Sequence, residues 1–527
     1  MIRINNIKLP LEYSDEDIIK ACSKELCISP KAITKAALYR RSIDARHKDN
    51  IHYTTSVDVW LSGSEQAALN KAKSKNAAIT EAYRYTPLTP KNKDKRPLIV
   101  GTGPAGLFCA LTLAQSGIRP IVIERGSRVE ERVKAIDRLW DHSELNTECN
   151  VQFGEGGAGT FSDGKLNTGT KDGRARKVLM EFVSHGAPEE ILYNAMPHIG
   201  TDKLRDTVKS IREELLSLGA DIFFDTKLTD IQTRDGMITA AEVEHNGNKQ
   251  LIECNEIVLA IGHSARDTFE LLHGMGVHTE PKPFSVGVRI EHLRENIDRS
   301  QYGAAYQKLP AAYYKQNVRL NDGRGVYTFC MCPGGVVVAA QSETNSVVTN
   351  GMSEFARDKI NSNAALLVSV EPDDIRGEHP LKGMYWQREL ESRAFITGGG
   401  DYRAPVVRVG DFLNGEQSDR FGEVTPSYLP GTSFARMEDI LPPFVTDSLR
   451  EAIPMIDRRL HGFSHSDAVL TAVESRSSSP IRITRGESMQ SVSLKGLYPC
   501  GEGAGYAGGI ISAAVDGIKV AEKIILA

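Results

Sequence analysis

Residues 97–125 constrain this chain more than any other stretch. Leu98-Ile99-Val100 is an apolar run of strand length that passes straight into Gly101-Thr102-Gly103-Pro104-Ala105-Gly106. LFCALTLAQSG follows as a predicted helix ending at Gly117, and PIVIE as a second strand finishing on Glu124, 18 residues after Gly106. Strand, glycine turn, helix, strand and acid is the order of a dinucleotide-binding βαβ unit, and each part has a physical task. Gly101 permits the tight turn, Gly103 lets the backbone approach a pyrophosphate, and Gly106 lets helix pack closely on strand. The helix N-terminus presents free N–H groups and partial positive charge to the phosphates. Glu124 is expected to accept hydrogen bonds from the adenosine ribose.

The Gly-x-Gly-x-x-Gly spacing recurs at residues 154–159 and 503–508, so the flanking elements must decide what each copy does. No buried strand leads into residues 154–166 and no apolar helix follows them, which excludes a second dinucleotide unit. Residues 503–508 lead into a predicted helix over 510–525 with no later strand. That suits a helix N-terminus aimed at a ligand rather than a complete βαβ unit.

The rest of the chain divides by pattern. IRINNIKLPL has strand character, Ser14 with Asp17 forms a helix-opening capping pair, and AALYRRSIDAR with HYTTSVDVWL predicts a hairpin. TPLTPKNKDKRP concentrates Pro and Lys without apolar periodicity and reads as a linker. Turn signals at Asp235-Gly236 and Asn246-Gly247 within alternating apolar and polar residues predict an antiparallel meander, which feeds a strand over 257–261. The expected organisation is an N-terminal α+β domain over 1–86, a linker over 87–96, and the first part of the cofactor domain over 97–280. An inserted substrate domain over 281–479 and the C-terminal part of the cofactor domain over 480–527 complete it.

At 527 residues, with 40% apolar and 25% charged residues, the chain has ample material for two or three globular domains. No apolar run approaches the ~20 residues of a membrane span, and the N-terminus lacks the order of a secretory signal, so a cytoplasmic protein with no membrane association is expected. Residues 1–96 carry 18 Lys and Arg against 11 Asp and Glu, within a net charge of −4 for the whole chain. Arg40, Arg41, Arg46 and Lys48 belong to this basic region, but few aromatic residues interleave with them. Nucleic-acid binding therefore ranks below a docking or lid role. The eight cysteines do not form the dense framework of a secreted scaffold. Cys22 and Cys27 have Cys-x4-Cys spacing but no glycine loop nearby, and both are read as buried thiols.

Val100 to Leu107 with Val122-Ile123-Glu124-Arg125 resembles the FAD fingerprint of the glutathione-reductase-like flavoproteins. Residues 257–264 resemble that fold's second strand-to-glycine signature, with Ile261 where Thr is usual, and residues 496–503 resemble its terminal FAD motif, with Glu502 where Asp is usual. Residues 152–166, Cys330-Met331-Cys332-Pro333-Gly334-Gly335 and Asn350-Gly351-Met352-Ser353 together resemble a bacterial FAD-dependent dehydrogenase family, also described as NAD-utilizing dehydrogenases. The resemblance covers essentially the whole chain. It implies an α/β fold with a three-layer FAD/NAD(P)-binding Rossmann-like domain, an inserted α+β substrate domain and an appended N-terminal α+β domain. FAD is the implied cofactor.

The resemblance assigns Gly101, Thr102, Gly103, Pro104, Ala105, Gly106, Glu124, Arg125, Ala260, Gly262, Gly501, Glu502, Gly508, Gly509 and Ile510 to cofactor binding. It adds Gly157, Thr160, Phe161, Ser162 and Lys165, because a glycine-rich loop at this place in related flavoproteins lies along the pyrophosphate and flavin edge. Lys165 is the candidate for offsetting negative charge on reduced flavin, and His263 for acid/base work. Cys330 and Cys332 are expected on one face of a strand, packed rather than reactive, since a disulfide at this spacing is strained. No metal site is expected. Arg388, Arg393 and Arg403 read as structural or solvated, with binding of an anionic substrate as the lesser alternative. A single dinucleotide unit implies no separate NAD(P) domain. The expected function is an FAD-dependent oxidoreductase that passes hydride from a small-molecule substrate, or from transiently bound NAD(P)H, to flavin N5. Two alternatives are an FAD-dependent RNA-modifying enzyme and a flavin-bearing binding protein without turnover. Substrate identity and oligomeric state stay open.

Overall fold

The computed structural model describes residues 1–72, 75–167 and 169–527. The N-terminal unit is a four-stranded sheet in the order Ile33–Asp44, His52–Leu61, Ile2–Leu9, Ala77–Ile79. The strand Ile2–Leu9 buries Ile2 and Ile4, then Ile7 and Leu9. The change of parity between the two pairs is absorbed by a bulge at Asn6, whose φ of +60° this short polar residue tolerates. Helix Asp15–Leu26 covers the sheet. Ser14 Oγ accepts the Asp17 N–H at 3.3 Å and an Asp17 oxygen accepts the Ser14 N–H at 3.0 Å, the expected capping pair. The spacing of Ile18, Cys22 and Leu26 places them on the buried face. Cys27 departs from expectation. It ends the helix in the left-handed region, φ +53°, which turns its side chain out to solvent while Cys22 is buried.

The cofactor-type sheet is parallel, in the order Leu497–Pro499, Ile257–Leu259, Leu98–Val100, Ile121–Ile123, Asp221–Phe223. Its three inner strands are apolar throughout, as burial on both faces requires. From the central strand Leu98–Val100 the chain builds outward to one side and later to the other, which opens a crevice at the strands' carboxyl ends. Helix Pro104–Gln115 leaves this crevice, and helix Ile510–Leu526 packs against it at backbone distance. A Cβ on Gly517 would lie 2.1 Å from the Ala105 carbonyl oxygen, so only glycine allows the approach. The strand Ile257–Leu259 stops two residues short of expectation, because the chain turns away at Gly262, φ +68°.

The meander forms as expected from Thr226–Arg234, Met237–His245 and Asn248–Glu253. Asp235 and Gly236 have φ of +51° and +72°, and Asn246 and Gly247 +49° and +75°, the left-handed pairs that tight hairpins need. Thr279–Pro281 pairs antiparallel with Ile481–Ile483, and the chain between them builds a seven-stranded sheet. Its order is Asn317–Arg319, Gly325–Cys332, Asn361–Val370, Phe284–Leu293, Val469–Glu474, Ala404–Arg408, Thr432–Phe434. Helix Pro443–Asp457 joins the core of this sheet through Val445, Leu449, Ala452, Ile453 and Ile456. No helix among the described residues is long and apolar enough to cross a membrane.

Candidate functional site

A cavity of about 680 Å³ lies where the carboxyl ends of the parallel sheet meet the inserted sheet, within the size range of cofactor and small-molecule sites. Three glycine loops form one side of it. Gly101 has φ +102°, and a Cβ there would lie 2.4 Å from the Ala260 oxygen; one on Gly106 would lie 1.9 Å from the Gly101 oxygen. Gly103 differs, since its nearest neighbour to a Cβ is Gly157 Cα at 3.9 Å, while a Cβ on Gly157 would meet Gly103 Cα at 2.9 Å. Gly159 touches the start of the third loop, with Ile510 Cγ1 at 3.2 Å from its notional Cβ. Helices Pro104–Gln115 and Ile510–Leu526 both begin in this wall, and neither has a side-chain cap. Two sets of first-turn N–H groups therefore converge on one space.

Glu124 is 5% exposed and lies in the wall. Its Oε2 accepts the Thr102 N–H at 2.9 Å and hydroxyl at 2.8 Å, and its Oε1 accepts the N–H groups of Gly126 at 3.0 Å and Gly154 at 2.9 Å. One carboxylate thus ties the first glycine loop to the second. Arg125 donates to Glu148 at 2.9 Å and to Asp267 at 3.0 Å, with its guanidinium 4.3 Å from the Phe153 ring centre.

Two supporting residues were not legible in the sequence. Arg132, fully buried, donates to the carbonyls of Asn150, Val151, Gly154, Glu155 and Gly157 at 2.7–3.2 Å and so holds the second loop in shape. Asp516 accepts the Gly501 N–H at 2.8 Å and pairs with Arg485 at 2.8 and 2.6 Å. Neither side chain belongs to a short motif, because each reaches its partners across the fold.

Gly101, Gly103, Pro104, Ala105, Glu124, Arg125, Gly157, Ser162, Lys165, Ala260, Gly262, His263, Glu502, Gly508, Gly509 and Ile510 all reach the cavity. Thr160 and Phe161 do not. Thr160 is buried with its hydroxyl on the Glu155 carbonyl, and Phe161 packs between Arg132 and Arg205 with Ile136 and Val151. The short 3-10 turn Ala158–Phe161 is what rotates them inward. Thr102, Gly106 and Gly501 likewise lie behind the wall, where Thr102 serves Glu124 and a Cβ on Gly501 would press on Ala105.

The far wall comes partly from the inserted sheet. Lys165 Nζ lies 3.1 Å from Asp163 and 3.9 Å from Cys332 Sγ. Asp163 is fully buried and accepts Arg357 Nε at 2.9 Å and Nη2 at 2.6 Å, and also the Ser353 hydroxyl. Burial opposes the charges of Asp163 and Lys165, but Lys165 and Arg357 hold the Asp163 carboxyl below its usual range, and Asp163 raises Lys165. Cys330 lines the cavity with φ +40° at a bulge in the strand Gly325–Cys332, so the two thiols do not share one face as expected: Cys332 is buried behind Cys330. His263 Nδ1 lies 3.7 Å from Glu502 Oε1, and its buried Nε2 has no partner among the described residues. Burial, with Arg476 and Arg266 nearby, pushes His263 down to about 3, and burial pushes Glu502 up to about 7.

Arg388 binds Glu343 and Glu270, Arg393 binds Glu389, and Arg403 binds Asp401; none lines the cavity. Glu181, His185 and Glu214 bring ligand atoms within 4.8 Å of one another. Lys177 Nζ, 2.7 Å from Glu181, and the Gln115 amide on both carboxylates already fill that position. Of the basic N-terminal residues, Arg41, Arg46 and Lys48 have partners within the fold; the Arg41 side chain donates to Asn194 at 3.0 Å and to the Tyr13 hydroxyl at 3.0 Å. The Arg41 N–H donates to the Tyr193 carbonyl at 2.6 Å and its carbonyl accepts the Ala195 N–H at 2.8 Å, and Ala195 and Met196 line the cavity. Lys48 donates to the Ser300 carbonyl at 2.7 Å and Arg46 to Asp44 at 2.8 Å, and these two and Arg40 are all exposed.

Residues 95–291 match the family described as pyridine nucleotide-disulphide oxidoreductase, residues 283–477 the one described as FAD-dependent protein, C-terminal domain-like, and residues 1–60 a domain of unknown function. A Clostridium beijerinckii protein, described as an uncharacterized protein, is 48% identical over 531 residues, covering 99% of this chain and 98% of the relative. The chain belongs to the FAD-dependent oxidoreductases. Among solved structures, the flavoprotein is similar to the flavin-dependent brominase Bmp2 at 13% identity, TM-score 0.38, over 82% of this chain and 79% of that one. It is also similar to a flavoprotein/dehydrogenase from Cytophaga hutchinsonii at 13% identity, TM-score 0.36, over 82% and 78%.

The cavity of the flavoprotein fits this cofactor. A Cβ at Gly262 or Gly508 would meet nothing within 4 Å, and at Gly508 that open space adjoins the uncapped first turn of the helix Ile510–Leu526, as a cradle for phosphate and ring requires.

Proposed function

We propose that the flavoprotein is a dehydrogenase acting on a small-molecule substrate, with NAD(P)H as the alternative transient donor. Bound FAD supplies hydride acceptance at flavin N5. The residues of the chain supply position and charge. The first turns at Pro104 and Ile510 would hold anionic groups of the cofactor through main-chain N–H groups, with Glu124 in the same wall. Ala260, Gly262, Glu502, Gly508, Gly509 and Ile510 line the same cavity and would hold the remainder of the cofactor.

The observation that carries this reading is the trio Asp163, Lys165 and Arg357. One carboxylate between two cations leaves net positive charge beside a cavity wall, and Lys165 faces the cavity. Fixed positive charge beside the cavity favours the anionic form that a two-electron acceptor reaches on reduction. His263 stays neutral at physiological pH because of its burial, so it offers an acceptor nitrogen rather than a charge. The test is anaerobic mixing of the yellow holoprotein with NADH, NADPH and a panel of alcohols, amines and hydroxy acids while the visible flavin absorption is followed. Rapid bleaching by one class supports the reading. A flavin that dithionite bleaches but no metabolite does would sink it.

A further inference from the structure

We propose that Cys330 and Cys332 form a redox-active dithiol on the cavity wall, with a low-molecular-weight disulfide as its electron partner. The placement is specific. Phe329 pairs with Ala365 and Cys332 with Asn363, so Cys330 and Met331 form the bulge between them. The bulge puts Cys330 in the left-handed region at φ +40°, a conformation that a non-glycine residue in a strand keeps only where the surroundings enforce it. That enforcement is visible. Buried Arg289, clamped to Glu474 at 3.0 and 2.9 Å, donates to the Cys330 carbonyl at 3.1 Å, and Cys332 Sγ lies 3.3 Å from the same carbonyl.

The two sulfurs have unlike surroundings. Cys330 reaches the cavity, while Cys332 is fully buried with Lys165 Nζ 3.9 Å from its sulfur. Hydrogen bonding from the Cys332 side chain, with Lys165 and Arg289, draws Cys330 below an ordinary thiol against both its own burial and the charge of Asp163, while burial raises Cys332. An accessible thiolate with a buried protonated partner is the division of labour of an exchanging dithiol.

The exchange balances without another reactant. Cys330 thiolate attacks one sulfur of R–S–S–R, forming a mixed disulfide and releasing R–S⁻. Cys332 gives its proton to that thiolate and attacks Cys330 Sγ, expelling the second R–S⁻. The protein has lost two electrons as its disulfide forms, and the small disulfide leaves as one thiol and one thiolate. The strain of a ring closed across one intervening residue favours easy re-reduction.

The test uses the reduced holoprotein with oxidised glutathione as the probe. Digestion and mass spectrometry should then find a Cys330–Cys332 linkage, and at mildly acidic pH iodoacetamide should modify Cys330 about tenfold faster than exposed Cys27 in the same sample. Cys332→Ser should trap glutathione on Cys330. A linkage absent at every glutathione ratio, or Cys330 labelling no faster than Cys27, would overturn the proposal, and both measurements need only the natural chain. The exchange requires no flavin turnover. Its failure therefore leaves the dehydrogenase reading standing, and a flavin that no metabolite bleaches leaves the dithiol standing.

Discussion

Glu124 holds Thr102 through two hydrogen bonds to one carboxylate oxygen, from the N–H at 2.9 Å and from the hydroxyl at 2.8 Å. The other oxygen takes the N–H groups of Gly126 and Gly154, so four buried donors share one anion. Glu124→Ala should strand all four, at about 1–3 kcal/mol for each donor that water cannot reach. The urea midpoint of FAD-free protein should therefore fall as well as FAD affinity. Loss of FAD affinity with an unchanged midpoint would mean that Glu124 serves the ligand alone.

Gly103 and Gly106 should respond differently to the same added methyl. At Gly103 a Cβ meets only Gly157 Cα at 3.9 Å, so Gly103→Ala should fold with a normal midpoint and bind FAD weakly. At Gly106 a Cβ would lie 1.9 Å from the Gly101 oxygen, so Gly106→Ala should lose folded yield. Fluorescence titration with FAD and circular dichroism separate the two effects.

Arg357→Leu should destabilise the protein by about 3–5 kcal/mol, because it removes the bidentate partner of a buried anion. Asp163→Asn added to it should recover part of that loss. The folded-state Asp163 carboxyl sits below its unfolded value, so the stability it contributes is present at neutral pH and is lost as pH falls toward the folded value. Acid unfolding of the natural protein should therefore begin at lower pH than that of Arg357→Leu.

His263 and Glu502 should give opposite pH slopes in FAD-free protein. His263, pushed from 6.5 down to about 3 by burial, binds a proton more readily when unfolded, so its share of stability falls as pH drops below 6.5. Glu502, pushed from 4.5 up to about 7 by burial, binds one more readily when folded, so its share falls as pH rises through that window. The melting temperature of Glu502→Gln should exceed that of the natural protein above pH 7, and that of His263→Gln should lose its disadvantage at acid pH. Parallel melting curves at every pH would contradict both.

The glycine loops and the elements around them were readable because local rules set them. A tight turn, a close helix contact or a left-handed hairpin pair each needs a residue type at a fixed offset, as Gly101, Gly106 and Asn246-Gly247 show. The errors came where one side chain's direction depends on distant packing. Thr160 and Phe161 sit in the expected loop but turn inward onto Glu155, Arg132 and Arg205, and Cys330 leaves the face of Cys332 because of a bulge that no spacing announces.

The sequence by itself determined the βαβ unit, the antiparallel meander, the N-terminal capping pair and hairpin, and a C-terminal helix beginning at a glycine loop. All of these follow from interactions among residues close in the chain. Only the tertiary structure decided that Arg132 braces the second loop, that Asp163 sits between Lys165 and Arg357, and that the inserted sheet sets Cys330 against the same cavity. Asp163 and Lys165 are near neighbours in the chain, but Arg357 is 194 residues from Asp163 and Arg132 reaches carbonyls 18–25 residues away, and a buried charge finds such a partner only when the whole fold brings the two together.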